Sequence, residues 1–317
     1  MFDKWTPNQQ VDIVANPDFY FGKPKVDRIV MIPMPDDTVA GLALEAGQID
    51  LGEFREPMVI DRFKDLKNFV VMREQSSGIW SIWFNMKEKP FDNVLVRRAV
   101  AHAIDKKALV DKILTGIAYT SDSYIPSVAG GHTVADGLPS YPFDPARAKK
   151  LLVDAGYPNG VDVTLTTTKL APWPLIVPFV KESLDKAGIR CKLEEMEHAA
   201  YSERRAKGSY QFIVQGTGGP PDPHRWTPAF HTAQHPPGGQ NLAFYRGVDD
   251  LIDKGQSEVD PKKRREIYKQ LEDRILKDLP ALPLYVLGTQ SIARTIVKGY
   301  KPGVMNDPDF KDVSIQK

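Results

Sequence analysis

Residues 161–215 read VDVTLTTTKLAPWPLIVPFVKESLDKAGIRCKLEEMEHAAYSERRAKGSYQFIVQ, and the spacing of their hydrophobic residues changes repeatedly. Apolar and polar residues alternate at positions 161–165 and 189–193, as they do in strands with one buried face. Helices are predicted over residues 175–187 and 198–207, and residues 211–215 form another apolar strand. Strands separated by helices predict an α/β fold whose sheet contains parallel strand pairs.

Helical patterns surround this segment. Three helices are predicted before it, each begun by a side chain that can accept a hydrogen bond from the first backbone amides: Asn93, Asp105 and Asp144. After it, residues 216–247 form a long irregular loop, which is usually functional in a compact domain. Two more helices follow this loop, and the second begins at Asp260.

The two ends of the chain are predicted to be largely extended. Asp36 caps a short helix over residues 38–46, between a strand at residues 26–34 and a shorter one at residues 49–51. Strands are predicted at residues 69–72 and 79–84 around a polar turn at residues 74–78, and again at residues 281–286 and 292–297.

The composition describes a globular protein with enough residues for two domains. The 317 residues are 42% hydrophobic and 26% charged, with a net charge of +1. This near-balance argues against nucleic acid or an anionic membrane as the main partner, and no apolar run reaches the roughly 18 residues that a membrane span needs. Cys191 is the only cysteine, which excludes an internal disulfide, and we interpret it as a buried strand residue.

Six segments, in one order along the chain, resemble the signatures of the family 5 bacterial solute-binding proteins of ABC transporters. The most distinctive reads PFDNVLVRRAV at residues 90–100 and continues as AIDK at residues 103–106. The others are FDKW at residues 2–5 with NPDFYFGKPKVD at residues 16–27, ALEAGQID at residues 43–50, DPARAKKLLVDAGYPNG at residues 144–160, DP at residues 222–223, and residues 264–283. The matches cover nearly the whole chain, so it is identified as a member of this family.

The resemblance implies a two-lobed, periplasmic binding protein-like fold of the class II type, with the ligand enclosed between the lobes. Residues 1–78 would form part of lobe I, residues 79–286 lobe II, and residues 287–317 would return to lobe I. Family members carry an export signal and a longer N-terminal portion. The first residues here show no export signal, so we expect a C-terminal piece with lobe I incomplete.

The implied role is that of the solute-binding component of an ABC importer. Such a protein captures a small-molecule or peptide ligand at the periplasmic or extracellular face and delivers it to the permease subunits in the membrane. We expect a monomer that needs no cofactor and no metal. The ligand class stays open among small peptides, opines, oligosaccharides, metal chelates and similar polar solutes.

The resemblance also indicates which residues touch the ligand. Peptide-binding members place an aspartate against the ligand ammonium, three residues before the acidic-Pro pair, where this chain has Gly219. A buried ammonium needs a paired carboxylate. We therefore expect the main chain of residues 216–219, which we call the glycine loop, to contact the ligand instead. Lys169 follows a strand where dipeptide binders have an arginine. The predicted ligand-binding residues are Trp80, Lys169, Trp173, Gly216, Thr217, Gly218, Gly219, Asp222 and Trp226.

Several of these residues have a purely structural alternative. Lys169 also fits an exposed loop lysine, and each tryptophan also fits a place in the core. Asp222 also fits a loop residue that hydrogen-bonds its own backbone.

Two other functions compete with solute binding. A hydrolase or transferase would need a nucleophile or a carboxylate pair, and no such constellation stands out. The six histidines are scattered; His198 has acidic neighbours, while His224, His231 and His235 share one loop at a spacing that fits no zinc pattern. The glycine loop lacks the Lys and Ser/Thr of a phosphate loop. A truncated fragment that binds nothing is the other alternative.

Overall fold

In the computed structural model, which describes residues 1–129, 137–170, 172–219, 221–303 and 308–316, the chain divides into two units. Met1–Ser76 and Gly288–Lys317 form the terminal unit, and Ser77–Leu287 form the central unit. Their identity as lobes I and II of a binding protein stays a prediction. His132 lies outside the described residues.

The terminal unit begins with three antiparallel strands, β1 (Phe2–Thr6), β2 (Gln10–Val14) and β3 (Arg28–Met31), with β2 in the middle. The helix predicted after Asp36 is confirmed as α1 (Asp37–Glu45), and the Asp36 carboxylate accepts a hydrogen bond from Val39 N at 2.9 Å. The elements that follow are β4 (Leu51–Glu53) and α2 (Pro57–Phe63). The residue patterns do not predict β1, β2 or α2.

A single strand, β5 (Phe69–Phe84), replaces the two strands and the turn predicted in this part of the chain. The predicted turn at residues 74–78 is wrong because the polar residues there satisfy their hydrogen bonds inside the protein. Ser77 is buried, and its hydroxyl donates to Gly219 O at 2.6 Å. The backbone therefore stays extended through a polar segment.

The central unit contains a mixed sheet. Its remaining strands are β6 (Ala118–Thr120), β7 (Val161–Thr168), β8 (Ile189–Met196), β9 (Phe212–Thr217) and the first part of β10, defined below. β7 lies between β8 and β9 and runs parallel to both, whereas β9 pairs with β5 in the antiparallel direction. The predicted α/β class with parallel strand pairs is confirmed.

The helices described in the central unit are α3 (Val94–Ala103), α4 (Lys106–Ala108), which continues as a π-helical turn to Ile113, α5 (Pro145–Asp154), α6 (Trp173–Lys186), α7 (His198–Lys207), α8 (Asp249–Ser257) and α9 (Pro261–Asp278). Four of them, α3, α4, α5 and α9, begin directly after the capping residues that the sequence predicted. The side chains of Asn93, Asp105, Asp144 and Asp260 each accept a backbone N–H of the following helix at 2.8–3.0 Å. Within the part of the chain that is described, no helix is both long and apolar enough to cross a membrane.

The last long strand is β10 (Ala281–Arg294), which is continuous where two separate strands were predicted. It pairs with β6 in the central unit and with β4 in the terminal unit, both antiparallel. Two short strands, β11 (Val297–Lys298) and β12 (Ser314–Ile315), follow in the terminal unit. Both β5 and β10 contain residues of the two units, so the chain passes between the units along these strands.

Arg97, on α3, connects two segments of the central unit that are far apart in the sequence: the residues just before α3 and the end of α9. Its side chain is only 3% exposed, and its guanidinium donates to the carbonyl oxygens of Phe91, Asp278 and Leu279 at 2.6–3.1 Å. Burial lowers its pKa to about 10, so it remains charged at neutral pH. The last carbonyls of α9, which have no partner within the helix, are thereby satisfied by a cation.

We expect Arg97→Ala to lower the free energy of unfolding of the central unit by about 3 kcal/mol, because buried carbonyls lose their donor. Urea unfolding followed by tryptophan fluorescence measures this, since four of the five tryptophans lie in the central unit. Arg98→Ala is the matched control, because Arg98 is less buried than Arg97 and its hydrogen bond to Lys277 O lies in an exposed position. An equal loss in both variants would contradict the assignment.

Candidate ligand-binding site

One edge of the central sheet gathers most of the predicted ligand-binding residues. Because β7 is parallel to β8 and β9, all three strands end at the same edge, which we call the carboxyl edge. β5 is antiparallel to β9 and enters the sheet there, with Ile79 opposite Thr217. Ligands of open α/β sheets bind outside the carboxyl ends of the strands.

Trp80 and Gly216 face each other across β5 and β9 near this edge. A Cβ atom at Gly216 would lie 2.7 Å from Cε2 of the Trp80 indole, which is closer than side chains approach in proteins. The indole therefore lies directly over the backbone of β9 and is 8% exposed. Only glycine allows this arrangement.

The Trp80 indole also connects two other aromatic rings. It packs edge-on against Trp173 at a centroid distance of 4.9 Å and stacks on Tyr285 at 6.0 Å. Trp173 is 6% exposed, and its Nε1 donates to Val214 O at 2.7 Å, which ties α6 to β9. The structure thus brings Trp80 and Trp173 together in one mostly buried aromatic layer. Their contact with a ligand stays a prediction.

Trp226 lies in a different environment. Its side chain is fully buried, and its Nε1 has no hydrogen-bond partner among the described residues. In this conformation Trp226 is a core residue, which is the alternative that the sequence left open. A direct role of Trp226 in ligand binding stays a prediction.

Asp222 is held by groups of the protein itself. Its two carboxylate oxygens accept hydrogen bonds from both terminal nitrogens of Arg264 at 2.9 and 2.8 Å, and one of them also accepts His224 N at 2.8 Å. The hydrogen bond from Arg264 is the main cause that lowers the pKa of Asp222. These contacts favour the structural alternative for Asp222, because its acceptors are already occupied.

Arg225, which the sequence analysis missed, lies against the glycine loop. A Cβ atom at Gly219 would be 2.4 Å from Arg225 Cγ and 2.5 Å from Nε, so the arginine side chain occupies the space that a larger residue would need. Arg225 is exposed and forms no ion pair within the described ranges. One signal in the sequence could have identified Arg225 as a candidate: it is a cation three residues after Asp222, in a loop that contains no other acidic residue.

Lys169 follows the carboxyl end of β7, as predicted. Its ammonium lies 3.1 Å from Glu197 Oε1, and this hydrogen bond is the main cause that raises the pKa of Lys169. Both side chains are more than half exposed, so the pair contributes little to stability. The lysine is therefore positively charged, accessible and free to exchange its partner for a ligand group.

The histidines with described positions do not form a cluster. His235 Nε2 contacts Tyr245 O at 2.9 Å, whereas His231 Nδ1 accepts Ala233 N at 3.0 Å. His198 packs against Trp173 instead of joining its acidic neighbours in a site. Of the residues with described positions, no three His, Cys, Asp or Glu side chains are arranged to hold a metal ion, so the geometry gives no support to a metal site in the loop of His224, His231 and His235.

We expect Gly216→Ala to destabilise the central unit by about 2 kcal/mol, because the new methyl group collides with the Trp80 indole and forces the β5–β9 pair to adjust. Thermal unfolding followed by tryptophan fluorescence measures this. Gly218→Ala is the control, since the nearest atom to its Cβ is Gly78 Cα at 3.8 Å, an ordinary contact. Equal destabilisation by both substitutions would show that the close approach is unimportant.

We expect Asp222→Asn to lower stability by about 1 kcal/mol at about pH 6, because the charge that binds Arg264 is lost while a capping oxygen remains. The folded-state pKa lies below the ordinary value of 3.8, so this contribution is present above that value and disappears as the pH falls through the folded pKa. Melting temperatures of both proteins between about pH 2 and pH 7 measure it. Asp162→Asn is the control, because Asp162 makes a similar bidentate pair with Arg190 but is 78% exposed. A difference between wild type and Asp222→Asn that does not change with pH would contradict the assignment.

Comparison with known proteins places the chain in a family. The family model for bacterial extracellular solute-binding proteins, family 5 middle, matches residues 1–236. The dipeptide-binding protein of Escherichia coli K12 is 27% identical over 308 residues, which cover 94% of this chain and 57% of that protein. The glutathione-binding protein GsiB of the same organism is 30% identical over 311 residues, which cover 93% and 59%.

A solved structure agrees with these matches. The ABC transporter-associated periplasmic binding protein DppA of Helicobacter pylori, in complex with the peptide STSA, superposes with a TM-score of 0.80 at 29% identity. The match covers 100% of this chain and 62% of that protein, so the chain spans less than two thirds of the length of the relatives it matches. The predicted periplasmic binding protein-like fold is confirmed, and the chain belongs to the family 5 bacterial extracellular solute-binding proteins.

Proposed function

We propose that this chain is the ligand-binding portion of the solute-binding protein of an ABC importer, and that it binds a small peptide or a similar polar solute for delivery to the membrane permease. The observation that carries the proposal is the carboxyl edge, where the glycine loop follows β9, the exposed Lys169 follows β7, and the aromatic layer of Trp80 and Trp173 packs on the sheet. The names of the relatives support a peptide-like ligand, because dipeptides, glutathione and the peptide STSA are what these proteins are named for or bind.

The residues at the edge have complementary roles in this proposal. Gly218 has only Gly78 Cα, at 3.8 Å, within 4 Å of the position of a Cβ atom, so a ligand main chain could approach its amide and carbonyl groups. The ammonium of Lys169 attracts the ligand carboxylate. Trp80 and Trp173 hold β5, β9 and α6 in position and offer ring edges to apolar side chains.

An enzymatic function has less support. Cys191, the only cysteine, is buried, and burial raises the pKa of its thiol to about 12. An activated nucleophile needs a lowered pKa and access to substrate, and this thiol has neither. The family matched by the chain consists of solute-binding proteins.

Isothermal titration of the purified chain with di- to pentapeptides tests the proposed function. Saturable binding supports it, and no binding to any peptide favours the alternative of a fragment that does not bind.

We expect Lys169→Met to weaken binding of peptides with a free carboxyl terminus about tenfold, because a charge-assisted contact is lost while the apolar stem remains. Binding of the same peptides with an amidated carboxyl terminus should not change. Lys186→Met is the matched control, since Lys186 is an exposed lysine paired with Glu182 at the other end of α6. Similar losses in both variants, or equal losses for free and amidated peptides, would contradict the role of Lys169.

A further inference from the structure

We propose that the loop after β9 receives a carboxylate of the ligand and that Arg225 binds it. This inference rests on the proposed function and adds the chemistry of the ligand at the same edge. Arg225 was not among the binding residues predicted from the sequence. The ligand group proposed here is negatively charged, whereas peptide-binding members of the family hold a positively charged ammonium at this position.

The geometry of the loop directs Arg225 to the carboxyl edge. Gly219 is the residue whose missing side chain makes room for Arg225, and its carbonyl oxygen accepts the hydrogen bond from Ser77 Oγ at 2.6 Å. Ser77 and Gly219 are thus held together where β5 enters the sheet and β9 leaves it. The Arg225 side chain, which covers Gly219, lies at the point where a ligand would approach the glycine loop.

The charges of the loop leave Arg225 uncompensated. Between Gly216 and Trp226 the sequence contains one acidic residue, Asp222, and one residue with a permanent positive charge, Arg225. Asp222 is engaged in a bidentate pair with Arg264, which lies 42 residues further along the chain. The loop therefore offers an approaching ligand a guanidinium and no free carboxylate.

Two cations at one edge define the class of ligand. Lys169 follows β7 and Arg225 follows β9, which are neighbouring parallel strands. A ligand that satisfies both cations carries an anionic group at each end, as an N-acylated peptide with a second carboxylate does. An ordinary peptide ammonium placed at the glycine loop would face Arg225 with the same charge.

Three probes with the same dipeptide body test this inference by isothermal titration of the full chain: alanyl-phenylalanine, its N-acetyl derivative and its N-succinyl derivative. Acetylation removes the ammonium, and succinylation replaces it with a carboxylate. We expect the succinyl derivative to bind about tenfold more tightly than the acetyl derivative, which corresponds to about 1.4 kcal/mol, and the free dipeptide to bind most weakly.

Substitutions then identify the residue responsible. Arg225→Gln should remove the preference for the succinyl over the acetyl derivative, so that the two derivatives bind this variant with the same affinity. Arg147→Gln should retain the full preference, because Arg147 is also exposed and without an ion pair in the described parts of the chain but lies on α5, which precedes β7. Gly219→Asp should also remove the preference, since the new carboxylate would lie beside Arg225.

Two results separate this inference from the proposed function. If the acetyl and succinyl derivatives bind equally well to the wild-type chain, the proposed function stands and the role of Arg225 is overturned. If no peptide probe binds, NMR of the arginine Nε–H groups during a titration with succinate decides the matter. The Nε–H resonance of Arg225 is identified as the one that is absent from the spectrum of Arg225→Gln. If succinate shifts this resonance, the inference is supported; if the resonance does not shift, the inference is overturned.

Discussion

The contact between the Trp80 indole and the backbone of Gly216 is the constraint on which the carboxyl edge depends. It requires glycine on β9, because a Cβ atom would lie 2.7 Å from the ring. It also places Trp80 where it reaches Trp173 on one side and Tyr285 on the other. One close approach therefore joins β5, β9, β10 and α6 and requires a glycine one residue before the end of β9.

The parts of the fold that the sequence predicts are those determined by neighbouring residues. The caps at Asn93, Asp105, Asp144 and Asp260 formed as predicted, because each side chain bonds amides two or three residues away. The continuous strand β5 was not predictable in this way. Its polar centre is stabilised by partners such as Gly219, which is 142 residues distant from Ser77.

The N-terminal sheet shows another limit of local patterns. Asp12, in the middle of β2, is 4% exposed, and its carboxylate accepts hydrogen bonds from Gln10 and Arg28. Buried polar residues in place of apolar ones remove the alternation by which a strand is recognised. For the same reason the sequence could not assign Asp222 to Arg264, since a bidentate pair over 42 residues leaves no periodic signal.

The pairing of Asp222 with Arg264 determines what Arg225 is able to do. Without Arg264, the Asp222 carboxylate would lie three residues from Arg225 with free acceptors, and an arginine and an aspartate so close in one loop would tend to neutralise each other. Because Arg264 binds both carboxylate oxygens of Asp222, this carboxylate does not neutralise Arg225, and the Arg225 guanidinium can bind a ligand group. In our proposal, specificity comes as much from rejection as from attraction: a guanidinium at the loop repels an ammonium and offers two donors to a carboxylate. In this proposal, the ion pair between Asp222 and Arg264 of α9 thereby determines the charge of the ligand group that binds at the glycine loop.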